Sequence, residues 1–237
     1  MRFEAAMVDL DGTMVDTLGD FVAALNLMLA ELSRQHAEPG LVGRQLNAKA
    51  VERMVGKGSE HLVSSVLNHV LTQADTAQVA IKSEALFTAA FASYQRHYDA
   101  INGRHSVVYP GVLEGLRQLQ QSGLKLACLT NKPAAFARPL LKLKGLDGFF
   151  GAVFGGDSFE RKKPHPMPLL KTCEALGAPP ARTLMIGDSS NDAQAARAAG
   201  CPVVLVTYGY NHGEPVRAVD ADGFVDSLAD IALANIS

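Results

Sequence analysis

The chain has 237 residues, 48% of them hydrophobic and 19% charged, with a formal net charge of −2. It is long enough to bury one large core or two modest ones, and too apolar to be disordered. The near-neutral balance and the lack of a basic block exclude a nucleic-acid partner held by phosphate contacts, but not a small anionic substrate that needs only a few local donors.

The three cysteines, Cys128, Cys173 and Cys201, lie far apart and form no C-x-x-C pair. They are expected to be free buried thiols of a cytoplasmic protein rather than a zinc site or a disulfide framework. The N-terminus lacks the apolar core of a signal peptide and no apolar run could span a bilayer, so no membrane partner is expected. Nothing in the pattern separates a monomer from a homodimer.

In chain order, Phe3 to Val8 is a short apolar run of strand length that ends in Asp9 and Asp11. Residues 12–16 read as a turn or flap. From Thr17 the period becomes helical, with Leu18, Phe21, Val22, Leu25, Met28, Leu29 and Leu32 on one face, so a helix is predicted over 17–34 with Asp16 or Thr17 as its cap. Pro39-Gly40 breaks the chain. A shorter helix over 44–55 ends at Gly56-Lys57-Gly58, Ser59 caps the next helix, and a long helix covers 76–99. Residues 17 to about 100 therefore read as a small helical bundle whose apolar stripes pack its core.

Beyond the bundle, Pro110 opens a helix over 111–122 that Gly123 ends. A strand at 124–129, a helix at 134–144, a short strand at 152–154 and a helix at 166–176 follow. A strand at 183–186, a helix at 190–199, a strand at 203–207 and a last strand at 223–225 complete the series, before a C-terminal helix. Strands alternating with helices predict an α/β fold, a Rossmann-like parallel sheet covered on both faces. The first strand must join that sheet, so the predicted domains are a core of residues 1–16 and 104–237 and an inserted helical domain of residues 17–103.

Asp9 and Asp11, two apart at a strand end, point to one face at the sheet edge where open α/β sheets bind ligands. Alone, Asp11-Gly12 is as readily a turn. Three later stretches reach the same edge: Thr130-Asn131-Lys132-Pro133, Arg161-Lys162-Lys163-Pro164-His165-Pro166, and Gly187-Asp188-Ser189-Ser190-Asn191-Asp192. Each has a plain reading, as a helix cap near Pro133, a solvated basic loop and a capping box between Ser189 and Asp192. Together they crowd Asp9, Asp11, Asp188 and Asp192, carboxylates that repel unless a cation joins them. Hard oxygen ligands suit Mg²⁺. With the Thr130 hydroxyl and the Lys163 ammonium, the set suits the oxygens of a phosphoryl group.

These four stretches, in this order along the whole chain, resemble the motifs of the haloacid dehalogenase superfamily, and the inserted bundle is similar to its first type of cap. Gly56-Lys57-Gly58, the Lys-Pro-His-Pro loop and Thr207-Tyr208-Gly209-Tyr210 resemble the phosphoglycolate phosphatase branch. The resemblance implies a Mg²⁺-dependent phosphomonoester hydrolase. Asp9 would be nucleophile and metal ligand; Asp11 would protonate the leaving alcohol, activate water and bind the metal through its carbonyl. Thr130 and Asn131 would hold phosphoryl oxygens, and Lys163, rather than Lys162, would neutralise Asp9. Asp188 would ligate the metal, Asp192 would orient its waters, and Lys57 would touch substrate from the cap, unless it is only a solvated turn lysine. The presence of Asp11 argues against dehalogenation. The implied substrate is a small anionic phosphomonoester, 2-phosphoglycolate first. Another phosphometabolite (sugar phosphate, pyridoxal phosphate, nucleotide or pyrophosphate), a phosphosugar mutase or a non-catalytic metabolite-binding module are the alternatives.

Overall fold

The computed structural model describes residues 3–36, 39–71 and 76–235. In chain order its elements begin with β1 (Ala5–Val8), β2 (Val15–Asp16), α1 (Leu18–His36), α2 (Ala48–Glu52), α3 (Ser59–Leu71) and α4 (Thr76–Ile101). They continue with β3 (Val107–Val108), α5 (Val112–Gln121), β4 (Lys125–Leu129), α6 (Ala134–Leu143), β5 (Ala152–Phe154) and α7 (Met167–Leu176). β6 (Thr183–Gly187), α8 (Ser190–Ala199), β7 (Val203–Val206) and β8 (Gly223–Val225) complete the series.

Six strands form one sheet in the order β5-β4-β1-β6-β7-β8, and every neighbouring pair is parallel. β1 is central and all four of its residues are buried, as a strand covered on both faces demands. Side chains alternate between two cores. Ala6, Val8, Leu126, Cys128, Leu184 and Ile186 face α5 and α6, packing with Val112, Leu116, Leu140 and Leu141. Met7, Leu129 and Met185 face the other way, with Leu169, Cys173, Ala193 and Ala196 of α7 and α8. Each fully buried Leu-sized side chain contributes roughly 1.5–3 kcal/mol. From β1 the chain winds outward to β4 and β5, then returns to place β6 on the other side of β1. This reversal between β1 and β6 is the place where open parallel sheets bind ligands, at the strands' C-terminal ends.

The chain divides into two compact units, one of residues Met1–Asp16 with Val107–Ser237 and one of Thr17–Ser106. In the second, α1 buries Phe21, Ala24, Leu25, Met28, Leu29 and Leu32 along one stripe, and α3 buries Leu62, Val63, Val66, Leu67 and Val70. α1 and α4 are stapled by stacked rings, Phe21 on Tyr98 at 5.4 Å. On the same pair, Glu31 accepts from Ser93 and His97 at 2.8 and 2.9 Å and pairs with Arg96 at 2.7 Å. Asp20 is fully buried and accepts the N–H groups of Gly103 and His105 at 2.8 and 2.7 Å, which fastens the start of the unit to its end.

Five expectations are corrected. Residues 12–16 are not only a turn: β2 pairs antiparallel with β3, Asp16 opposite Val107. The predicted helix over 44–55 is only Ala48–Glu52, because the Asn47 side chain caps it by accepting the Ala50 N–H. Ser59 is the first helical residue, and the Gly58 carbonyl before it accepts from Leu62. Gly111, at φ 78°, rather than Pro110, sits at the start of α5. The C-terminal helix is two single 3-10 turns, Leu228–Asp230 and Leu233–Asn235. The three cysteines are free and buried, with Cys173 and Cys201 sulfurs 4.0 Å apart. Among the described residues no helix is long and apolar enough to cross a membrane.

Candidate active site

The C-terminal ends of β1, β4 and β6, with the loop before α7, bring polar side chains together in a largely buried cluster. Asp9 follows β1, its N–H bonded to the Ile186 carbonyl at 2.9 Å, so the ladder itself fixes where the carboxylate starts. Its Oδ1 accepts the Leu10 N–H at 2.7 Å and meets Lys163 Nζ at 3.2 Å. Asp188 ends β6. Its Oδ2 accepts the Tyr210 N–H at 2.7 Å and its Oδ1 the Thr13 hydroxyl at 3.2 Å. Asp192, in the first turn of α8, closes a capping box with Ser189 and also takes Lys163 Nζ on Oδ1 at 2.7 Å. The capping box is therefore formed, and the same carboxylate also pairs with a lysine. Ligand oxygens of Asp9, Asp188 and Asp192 lie within 4.8 Å of one another.

Backbone without side chains makes this approach possible. A Cβ on Gly209 would lie 2.1 Å from Asp188 Cβ, and one on Gly12, at φ +82°, would lie 2.3 Å from Asp188 Oδ2. Gly12 is therefore needed both for its conformation and for the carboxylate above it.

The second lysine of the Lys162-Lys163 pair supplies the contacts with Asp9 and Asp192. Lys163 Nζ also donates to the Leu129 carbonyl at 2.9 Å, so its three hydrogens have three acceptors. Asn131 builds this arrangement from behind. Its Oδ1 accepts the Lys163 N–H at 3.0 Å and its Nδ2 donates to the Lys163 carbonyl at 2.8 Å. Its side chain thus holds the lysine loop. Thr130, just past β4, is 3% exposed; its N–H is held by the Phe154 carbonyl at 3.0 Å and its hydroxyl accepts the Lys132 N–H at 3.2 Å.

Asp11 pairs with a different lysine from the one that Asp9 and Asp192 share. Both its oxygens take Lys132 Nζ, at 2.9 and 3.2 Å, and the Lys132 side chain is only 2% exposed. Sequence reasoning missed Lys132, treating it as part of a helix-capping turn. The signal was available as a charge imbalance: four carboxylates at one sheet edge call for more than one lysine, and Lys132 directly follows the hydroxyl and amide of Thr130 and Asn131. The tyrosines after β7 were also undervalued. Tyr208 donates its hydroxyl to the Thr13 carbonyl at 2.8 Å, and Tyr210 donates its own to Asp16 at 2.9 Å. Lys57 lies in the helical unit, exposed between Gly56 and Gly58, which have φ of 106° and 90°.

Burial pushes the Asp9 carboxyl up to about 7, with Lys163 opposing the rise and Asp192 and Asp11 adding to it. Burial, with Asp192 and Asp9 beside it, likewise lifts Asp188 well above the usual carboxylate range. Charges that resist ionisation in this way are relieved by a cation, and an all-oxygen donor set that converges within 4.8 Å fits a hard divalent ion. Chemically the cluster offers buried carboxylates, a hydroxyl and two ammonium groups, donor and acceptor types that suit a phosphoryl group.

Comparisons with known proteins agree with that chemistry. Residues 3–200 match the model of the haloacid dehalogenase-like hydrolases. A phosphoglycolate phosphatase of Thiobacillus denitrificans is 44% identical over 98% of this chain and 96% of its own, and one of Nitrosospira multiformis is 42% identical over 96% and 93%. A crystal structure of "a predicted phosphoglycolate phosphatase" from Haemophilus somnus superposes with a TM-score of 0.86 at 32% identity, covering 97% of this chain and 96% of that one. A matched model over most of the chain, relatives above 40% identity at nearly full length and a shared fold agree: this chain is an enzyme that belongs to the haloacid dehalogenase-like hydrolase family.

Proposed function

We propose that this protein is a Mg²⁺-dependent phosphomonoester hydrolase of the cytoplasm that converts 2-phosphoglycolate to glycolate and phosphate. The observation that carries the reaction class is the buried trio of Asp9, Asp188 and Asp192 with Lys163 set between two of its members. The substrate is supported by the names of the full-length relatives.

In this reading an Asp9 oxygen attacks phosphorus, the ester P–O bond breaks, and Asp11 gives a proton to the departing alkoxide. Water then attacks the acyl-phosphate on Asp9, Asp11 takes its proton, and phosphate leaves with Asp9 regenerated. Lys163 offsets charge on Asp9 and on the phosphoryl oxygens. Thr130 and the main chain of Asn131 hold those oxygens, since the Asn131 side chain is committed to Lys163. Asp9, Asp188 and the Asp11 carbonyl would hold the metal, with Asp192 keeping Lys163 and the Asp188 N–H in place. The bound ion would draw negative charge off the phosphoryl group.

The test is phosphate release from 2-phosphoglycolate, sugar phosphates, pyridoxal phosphate, nucleotides and pyrophosphate, with Mg²⁺ and with chelator. Preference for 2-phosphoglycolate that chelator abolishes, and loss of at least about 1000-fold in Asp9→Asn, are expected. Full turnover in that variant would remove the nucleophile assignment. Transfer between sugar positions without phosphate release would make the protein a mutase, and saturable binding with no turnover would make it a binding module.

A further inference from the structure

Lys132 has no task in the reaction just described, yet it is among the most carefully placed charges in the molecule. Its backbone is braced on both sides: its N–H donates to the Thr130 hydroxyl at 3.2 Å and its carbonyl accepts the Gly156 N–H at 2.9 Å. The next turn is braced as well, because the Ala134 N–H donates to Asp157 at 2.8 Å. Gly156 itself has no room to be anything else, since a Cβ there would lie 2.3 Å from the Asn131 carbonyl oxygen. The ammonium at the end of this rigid support is buried, 2% exposed, and meets both oxygens of Asp11. A lysine that served only as a solvated turn residue would need none of this. Desolvating an ammonium is unfavourable unless a counter-charge lies against it.

We propose that Lys132 is a specificity-determining residue that recognises the carboxylate of a 2-phospho-acid substrate, an inference that rests on the phosphatase reading above. The geometry follows from the order of groups along the substrate. Phosphoryl oxygens are held at Thr130 and Lys163, and the ester oxygen faces Asp11. In 2-phosphoglycolate a single methylene separates that oxygen from the carboxylate. The group two residues beyond Thr130, in contact with Asp11, is Lys132. When Asp11 turns toward the ester oxygen it loosens its hold on Lys132, and the substrate carboxylate takes its place against the ammonium. An ester with a neutral alcohol leaves Lys132 buried with less counter-charge, and is disfavoured for that reason as much as for the contact it lacks. Lys132 thus supports Asp11 while the site is empty and reads the substrate when it is filled.

The experiment compares kcat/KM for 2-phosphoglycolate and for ethyl phosphate, its analogue without the carboxylate, in wild type, Lys132→Met and Lys132→Arg at saturating Mg²⁺. Losing one charge-assisted contact predicts that Lys132→Met lowers the ratio of the two kcat/KM values by about 10- to 100-fold, mostly through KM for 2-phosphoglycolate. Lys132→Arg should keep the ratio within about threefold. Equal loss on both esters, leaving the ratio unchanged, would show that Lys132 only positions Asp11 and would overturn the proposal. So would a Lys132→Met protein as selective as wild type. If that variant does not fold, as judged by circular dichroism, Lys132→Gln is held to the same ratio. Failure of wild type to release phosphate from either ester would remove the phosphatase reading itself. An unmoved ratio in an active wild type removes only the role of Lys132.

Discussion

Replacing Lys163 by methionine, in protein stripped of metal, should be among the most destabilising single changes the core can suffer. The stem keeps its length, so little packing is lost. What disappears is the ammonium shared by Asp192 Oδ1 at 2.7 Å, the Leu129 carbonyl at 2.9 Å and Asp9 Oδ1 at 3.2 Å, in a side chain that is 2% exposed. Removing one partner of a buried ion pair costs about 3–5 kcal/mol, because the other charge stays buried. Burial pulls the Lys163 pKa down, but Asp192 and Asp9 outweigh it and hold it above the ordinary lysine value. A raised folded pKa means that the contribution is complete below the unfolded value of roughly 10.4 and is lost only as pH rises through the folded one. Lys163 is therefore charged at neutral pH, and its contribution is fullest above the Asp9 value of about 7, where that carboxylate is ionised as well. Urea unfolding with excess chelator at pH 7 measures it, and a thermal melt should fall by about 6–20 °C for a chain of this size. Added Mg²⁺ should restore part of the loss in the variant by supplying the missing positive charge. A loss under about 1 kcal/mol, the scale of an exposed ion pair, would refute the claim that these charges are interdependent.

Gly209→Ala brings a methyl group to 2.1 Å from Asp188 Cβ. It should weaken Mg²⁺ activation at least about tenfold with the far-ultraviolet circular dichroism unchanged, as read from a metal titration of activity. In the helical unit, the Ser93 hydroxyl first, then His97 and Arg96, hold the Glu31 carboxyl below its usual value of 4.5. A depressed folded pKa contributes stability above the unfolded value that vanishes as pH falls through the folded one. Glu31→Gln should therefore cost about 1 kcal/mol at pH 7 and progressively less below about pH 4.5, by urea melts across that range.

The strands β1, β4, β6 and β7 were legible because a strand buried on both faces must be almost wholly apolar, and nothing else in the chain alternates so regularly with helices. The parallel sheet with its inserted bundle, and membership of the family, follow from that rhythm and the four polar strand ends. The β2–β3 ladder was not legible, since two residues a side carry no period and the partner lies some 90 positions away. The predicted C-terminal helix failed for a tertiary reason. Ser227 caps only one turn, by accepting the Ala229 N–H, and that turn lies close against α5, where a Cβ on Gly115 would meet the Leu228 carbonyl at 2.5 Å. In the site, residue types were legible but partners were not. The Asn131 side chain holds Lys163, and Asp11, while adding to the charge around Asp9, pairs with Lys132. A hydrogen bond across 121 residues is invisible to any local pattern.

The Asp16–Val107 rung has a consequence for how such a protein can change over time. The excursion from the sheet leaves and returns through adjacent positions of one ladder, and Asp20 ties the two ends of the excursion together again inside the helical unit. The chain between them is a closed loop whose length the core does not register. Closing a longer or shorter loop costs little more, since the entropy grows only with the logarithm of length. The inserted unit is in this sense a replaceable cassette: its sequence and size could be exchanged whole, while the strand ends stay where the sheet puts them.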